Sequence, residues 1–272
     1  MSGDEASPTL PDDPTSSSQR GQRLLELVRV MARLRGPGGC PWDAEQTHAS
    51  LARHLLEETH ELLAAIDMGD RDAIRDELGD VLLQVVFHAQ IAADDGAWDV
   101  DDVAQGLIDK LVRRHPHVFG EVEVSGAEEV LVNWEQIKAT EHGRETGDLE
   151  DDIPVSLPAL ARASKVQRRA AGFGFDWRTR EAAMAKLREE LAELEAAATP
   201  EDAEAELGDV LFAAAAVARR LGVDPESALR RTTTRFAHRY ETMRTRAAAD
   251  GVDLASMDDG ELLAYFRTSR DP

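Results

Sequence analysis

The chain has 272 residues, is 42% hydrophobic but only 5% aromatic, and carries a formal charge of −22. That much apolar material excludes wholesale disorder and is enough for one or two domains. Such acidity excludes a bare surface for nucleic acid or anionic membranes, so an anionic ligand needs cations between it and the protein. Cys40 is the single cysteine, so there is no intramolecular disulfide and no cysteine-built zinc site. No stretch approaches the roughly 18 apolar residues of a membrane span. Together these features predict a cytoplasmic protein with neither a nucleic-acid nor a membrane partner.

Ala, Leu, Glu and Arg dominate and β-branched runs are scarce, which predicts an all-α fold. Residues 1–20 are acidic, Ser- and Pro-rich and without the apolar core of a secretory signal; they are expected to form a disordered tail. Helical periodicity starts at Leu24 and stops at Gly36-Pro37-Gly38-Gly39, with a loop predicted over Cys40-Pro41-Trp42-Asp43. Long helices are predicted from Thr47 to Met68 and from Asp72 to Ala93, joined at Gly69-Asp70. A helix capped by Asp99 or Asp101 carries Val103, Leu107 and Leu111 and ends at His115-Pro116-His117. Another helix is predicted near Asn133 to Glu141. Residues 143–157 have the Gly, Pro and acidic content of a linker. Beyond it, helices are expected from about Leu157-Pro158, from Arg180 to Ala197, from Pro200 to Leu221, from Pro225 to Ala249, and from Asp259 to Thr268.

The chain repeats itself. Glu77-Leu78-Gly79-Asp80-Val81-Leu82 is identical to Glu206-Leu207-Gly208-Asp209-Val210-Leu211, and the EExxE segment at Glu57, Glu58 and Glu61 returns at Glu189, Glu190 and Glu193. Two homologous helical units follow, at 21–142 and 158–272. Within each, three EExxE carboxylates can share a helix side, and the ExxD pair shares a face of the next helix. Hairpin packing would converge four or five like charges, which destabilises the helices unless a cation joins them. Magnesium, held by hard oxygen ligands, suits such a cluster, with manganese as a substitute. An acidic stripe alone is usually a solvated face. The ExxD residues argue otherwise: they sit among Leu78, Val81, Leu82, Val85 and Phe87, or beside Val210, Leu211 and Phe212, and are therefore expected to be buried. The glycines at 79 and 208 are expected to permit close helix packing. Concentrated positive charge lies at Lys110, Arg113, Arg114 and Lys138 in the first unit, and at Lys165, Arg168, Lys186, Arg230, Arg231, Arg235 and Arg239 in the second. On the residues alone, a metal-dependent hydrolase, a non-catalytic Mg·nucleotide sensor and a structural helical dimer all remain open. His48, His54, His60 and His88 read as structural or exposed.

EExxE followed by ExxD resembles the signature of the all-α nucleoside triphosphate pyrophosphohydrolases. The strings CPWDAEQTH, ELGDVLLQVVFHAQIA, KLVRRHPHVF, NWEQIK, KVQRRAAGFGFDW and ELGDVLF resemble the MazG family in its two-repeat form, over roughly residues 21–270. The resemblance implies hydrolysis of the α–β phosphoanhydride to a nucleoside monophosphate and pyrophosphate, broad base tolerance, an intertwined homodimer, and a role in nucleotide-pool cleansing or stress control. It implies metal ligation by Glu58, Glu61, Glu77 and Asp80, and by Glu190, Glu193, Glu206 and Asp209. Glu57 and Glu189 would support the ligands or orient water. Lys186, Arg235 and Arg239 would stand near the triphosphate, and Phe266 near the base. Lys110, Arg114, Lys138, Lys165 and Arg168 are further candidates for substrate binding. Where the family usually shows an Asn before its basic residue, this chain has Thr232-Thr233-Thr234; Thr233 is expected to supply a hydrogen bond instead. Family analogy favours the second unit as the working one.

Overall fold

In a computed structural model, the described residues are 21–126, 129, 130, 133, 134, 137, 149 and 153–268. Among them all regular structure is helical. The chain divides into two compact units, Met1–Glu145 and Thr146–Pro272. The expected tail, most of the expected linker and Lys138 lie outside the described residues; of the helix expected near Asn133 to Glu141, residues 133, 134 and 137 are helical.

The first unit contains α1 (Gln22–Arg35), α2 (Pro41–Glu45), α3 (His48–Met68), α4 (Arg71–Asp94), α5 (Val100–Arg114) and α6 (Pro116–Phe119). Side-chain caps set the starts of the long helices: Thr47 accepts from Ser50 N–H, Asp70 from Asp72 and Ala73, and Asp99 from Asp101 and Asp102. The loop expected at Cys40-Pro41-Trp42-Asp43 is largely helical, because Pro41 supplies a preset φ at the first helical position and has no N–H to leave unpaired. Before it, a Cβ on Gly39 would lie 2.1 Å from the Leu34 carbonyl oxygen, so only glycine fits. Met31, Leu51, Val86, Phe87 and Ile91 form the core between α1, α3 and α4. Arg35 locks its edge: Nε donates to Asp94 at 2.7 Å, and Nη1 to the carbonyls of Asp43 and Gln46 at 2.6 and 3.2 Å.

The second unit contains α7 (Ala159–Gly172), α8 (Arg180–Ala196), α9 (Pro200–Arg220), α10 (Pro225–Asp250), a 3₁₀ turn (Leu254–Ser256) and α11 (Asp259–Thr268). Thr179, Thr199 and Asp224 cap α8, α9 and α10. Its buried apolar residues are mostly small, Ala183, Ala213, Ala215, Ala216, Val217 and Ala247, with Met243 the one large side chain among them. Buried Gln167 of α7 donates from Nε2 to the Phe212 carbonyl at 2.7 Å. Asp176 of the connecting loop pairs with Arg219 and Arg220.

Two helical hairpins therefore carry the repeat, α3–α4 and α8–α9. Glu190 stands 132 positions after Glu58, whereas Glu206 stands 129 after Glu77. The second hairpin is three residues shorter between its two acidic motifs, and the shortening lies at its closed end, beyond the carboxylates.

Candidate metal centres

Each hairpin brings carboxylates from both arms together. Glu58 of α3 meets Glu77 and Asp80 of α4, with one oxygen from each lying within 4.8 Å of the others. Glu190 of α8 meets Glu206 and Asp209 of α9 within the same limit. Glu61 stands outside this tight triad but near enough to act on Glu58 and Glu77 electrostatically. Burial, then Asp80, Glu61 and Glu77, pushes the Glu58 carboxyl above its ordinary value. Burial, then Glu61, Asp80 and Asp76, does the same to Glu77. Among the described residues no ion pair reaches Glu58, Glu77 or Asp80, and one oxygen of Glu77 is buried with no hydrogen-bond partner. A buried acceptor left unpaired is costly; here it sits among convergent hard oxygen donors, a set that fits a divalent cation.

The burial expected of the ExxD pair is not what the fold provides. Asp80 and Asp209 are exposed, Glu77 and Glu206 are half-buried, and the most buried carboxylate is Glu190 of the EExxE segment, at 5% exposure. The sequence inference failed because the apolar belt of these helices is wider than one chain covers: Leu78, Leu82 and Val85 on α4, and Leu207, Leu211 and Phe212 on α9, are all exposed. Gly79 and Gly208 likewise face open space, and a Cβ there would meet nothing within 4 Å, so neither is needed for helix packing within one chain.

The cations around the two clusters differ. In the second unit, Lys186 Nζ lies 2.6 Å from Glu189 and 2.8 Å from Glu190. Its hydrogen bond holds the Glu190 carboxyl below its ordinary value, and the Lys186 ammonium is correspondingly held charged. Glu193 is pushed up, chiefly by its hydrogen bond to Glu190. In the first unit, the position 132 residues earlier is His54. Its Nδ1 lies 3.2 Å from Glu57, its Nε2 accepts from Arg53 Nε at 3.2 Å, and its ring meets Trp42 edge-on. His54, expected to be structural or exposed, is singled out by its position matching that of Lys186 in the other EExxE segment.

Glu57 and Glu189, expected to support ligands or orient water, each face this flanking group rather than the triad. Among the described residues Lys186 is the basic candidate in contact with a cluster. Lys110, Lys165, Arg168 and Arg235 are exposed on α5, α7 and α10, and Arg235 bonds Thr232 at 2.9 Å. Arg114 lies over Trp134, 5.7 Å from the ring centre. Arg239 and Phe266 are brought together: the guanidinium donates to the Phe266 carbonyl at 3.0 and 2.7 Å and covers its ring at 4.1 Å. The Thr233 hydroxyl, expected to supply a hydrogen bond in place of the family's Asn, donates at 3.0 Å to the Leu229 carbonyl of its own helix. Thr232 and Thr234 do likewise to Ala228 and Arg230, a local alternative always open to threonine in a helix.

Comparison with known proteins agrees with this geometry. The MazG nucleotide pyrophosphohydrolase domain matches residues 46–119, which hold the first hairpin. The phosphoribosyl-ATP pyrophosphohydrolase domain matches residues 165–235, which hold the second. The nucleoside triphosphate pyrophosphohydrolase/pyrophosphatase MazG of Thermotoga maritima is 44% identical over 252 residues, 93% of this chain and 97% of that protein. The nucleoside triphosphate pyrophosphohydrolase of Escherichia coli is 44% identical over 243 residues, 87% of this chain and 92% of that one. The Mycobacterium tuberculosis protein of the same name is 48% identical over 159 residues, 58% of this chain and 47% of that one. Likeness over nearly the whole length of two pyrophosphohydrolases, with both acidic hairpins in place, makes this chain a member of the MazG family of nucleoside triphosphate pyrophosphohydrolases, hydrolases that act on acid anhydrides.

Proposed function

We propose that the chain hydrolyses nucleoside triphosphates at the α–β phosphoanhydride with Mg²⁺, or Mn²⁺ in its place, to give a nucleoside monophosphate and pyrophosphate. The observation that carries this reading is the paired triad, three carboxylates from two helices converging within 4.8 Å, twice in one chain. Glu58, Glu61, Glu77 and Asp80 would hold the ion in one unit, and Glu190, Glu193, Glu206 and Asp209 in the other. Bound there, magnesium would polarise the phosphoryl oxygens and neutralise charge developing on them. The protein's own groups position the reactants. A water oxygen adds to phosphorus as the bridging oxygen departs with the other product, and the water's proton passes to a carboxylate or to solvent. Glu57 and Glu189, exposed and paired with His54 and Lys186, would enter that proton's path on turning toward the triads. Lys186 supplies positive charge for the phosphates, which favours the second unit as the working site.

Broad base tolerance would follow from recognition by stacking, for which the aromatic group of Phe236, Tyr240 and Phe266 offers faces that any base can use. Consumption of mixed triphosphates is the chemistry of nucleotide-pool cleansing or stress control. The exposed stripe of Leu78, Leu82 and Val85 runs along the same helix as Glu77 and Asp80, and this uncovered apolar surface supports a homodimer in which a second copy would bury it. Among the described residues no helix is long and apolar enough to cross a membrane; the strong negative charge speaks against nucleic acid, and the single cysteine fits a reducing cytoplasm.

A panel of nucleoside triphosphates incubated with Mg²⁺ and resolved by ion-exchange chromatography tests the activity. Monophosphate and pyrophosphate in equal amounts are expected, lost when Glu58 and Glu190 are both replaced by Ala. Diphosphate and phosphate as products would overturn the assigned bond, and bound nucleotide without product would identify a sensor. Light scattering should give twice the chain mass, falling to one with Leu82→Glu.

A further inference from the structure

The two hairpins place different groups against their carboxylates. Lys186 and His54 occupy matching positions, four residues before Glu190 and Glu58. The Lys186 ammonium touches both Glu189 and the buried Glu190, at 2.6 and 2.8 Å. It therefore sits on a carboxylate that would ligate the ion. The side chain is 32% exposed, so it has room to swing out. Of the carboxylates, His54 contacts Glu57 and acts on Glu58 only through space; its ring is held edge-on by Trp42, 6.3 Å between centres, and Trp42 in turn by buried Phe87. Among the described residues no Lys or Arg forms an ion pair with Glu58, Glu77 or Asp80.

We propose that Lys186 is a resident counter-cation of the second cluster, which a divalent ion must displace from Glu190 before it binds, whereas the first cluster loads without such a step. This rests on the reading of both triads as metal centres. A unit charge a few ångströms from the metal position opposes a doubly charged ion directly. Once displaced, the ammonium is left on a flexible stem beside the cluster, where the triphosphate arrives. Metal loading and phosphate capture are thus coupled in the second unit and independent in the first.

The test is Mn²⁺ binding to the full-length chain without nucleotide, followed by the electron paramagnetic resonance signal of the free aquo ion. The first cluster is disabled by Glu77→Gln with Asp80→Asn, so that the second is read alone. In that background Lys186→Met should tighten Mn²⁺ about five- to tenfold, a range in which tenfold corresponds to about 1.4 kcal/mol. Lys186→Arg, which keeps the charge, should leave the affinity near that of the parent. The mirror experiment disables the second cluster with Glu206→Gln and Asp209→Asn; His54→Lys should then weaken Mn²⁺ at the first by a similar factor. Unchanged or weaker binding in Lys186→Met, with Mn²⁺ still bound by the parent, overturns the counter-cation role and leaves the metal centres standing. Mn²⁺ binding that survives loss of both clusters overturns the metal-centre reading itself, and the counter-cation role with it.

Discussion

Replacing Glu77 and Glu206 together by Gln removes one charge from each triad while conserving shape. Without metal the change relieves crowding among like charges, and the buried oxygen of Glu77 no longer belongs to an ion. The metal-free melting temperature should therefore hold or rise. With metal the sign reverses. An ion present at about 100 times its Kd adds about 2.7 kcal/mol to the folded state. For units the size of Met1–Glu145 and Thr146–Pro272, about 4 °C per kcal/mol is a fair conversion, so the parent should gain about 10 °C. If losing a ligand weakens binding about 100-fold, the upper end of what loss of a mere supporting group costs, the same ion concentration lies near the new Kd. About 0.4 kcal/mol and a rise of about 1–2 °C then remain. Differential scanning calorimetry with MgCl₂, against choline chloride at matched ionic strength, measures both quantities. A double variant that melts lower than the parent without metal, or that keeps the parent's Mg²⁺ shift, would refute the convergence of these carboxylates on an ion.

Three further outcomes follow from the same geometry. The raised Glu58 and Glu77 contribute stability that is fully present below the ordinary carboxylate value of 4.5 and is lost as pH rises through their elevated folded values. In urea melts without metal, a Glu58→Gln/Glu77→Gln variant should therefore gain on the parent as pH increases from about 4.5 toward neutrality; a constant difference would count against the assignment. Thr47→Ala and Thr179→Ala, which remove the caps of the two EExxE helices, should each cost about 1 kcal/mol in chemical denaturation. Arg239→Ala removes two hydrogen bonds to the Phe266 carbonyl and the cover over its ring. Limited proteolysis should then cut the segment after Gly251 faster, by a factor near tenfold for a loss of about 1–2 kcal/mol.

The helices were legible because their ends carry local chemistry. Thr47, Asp70, Asp99, Thr199 and Asp224 each accept from an N–H of the turn they start, and such caps need no tertiary context. The convergence of Glu58 with Glu77 and Asp80 was legible too, since spacing within helices and a two-residue turn leave little else for a hairpin to do. Burial was not. Whether Asp80 is covered depends on what faces Leu78, Leu82 and Val85, and the neighbours of α4 within one chain leave them exposed. The helix at Pro41–Glu45 was missed because a proline reads as a breaker unless it occupies the first turn. His54 was missed because a histidine has no signature by itself. Its meaning comes from standing where the other unit has Lys186.

The unequal spacing of the two acidic motifs bears on how such a chain can be edited. Between Glu61 and Glu77 lie the far ends of α3 and α4 and the turn Gly69-Asp70, where Gly69 takes a left-handed φ of 71°. The second hairpin has dispensed with three residues there and still closes its triad. That stretch is a seam: lengthening or labelling the chain beside Gly69 should leave the carboxylates in place so long as Asp70 keeps its cap on α4, because each arm holds its own register through the core behind it. The four residues from Glu58 to Glu61 have no such freedom, since inserting one would swing Glu58 about 100° around the helix axis relative to Glu61. Protein engineers seeking to report on metal arrival have in that turn a site for a fluorophore, close to the event and outside its geometry.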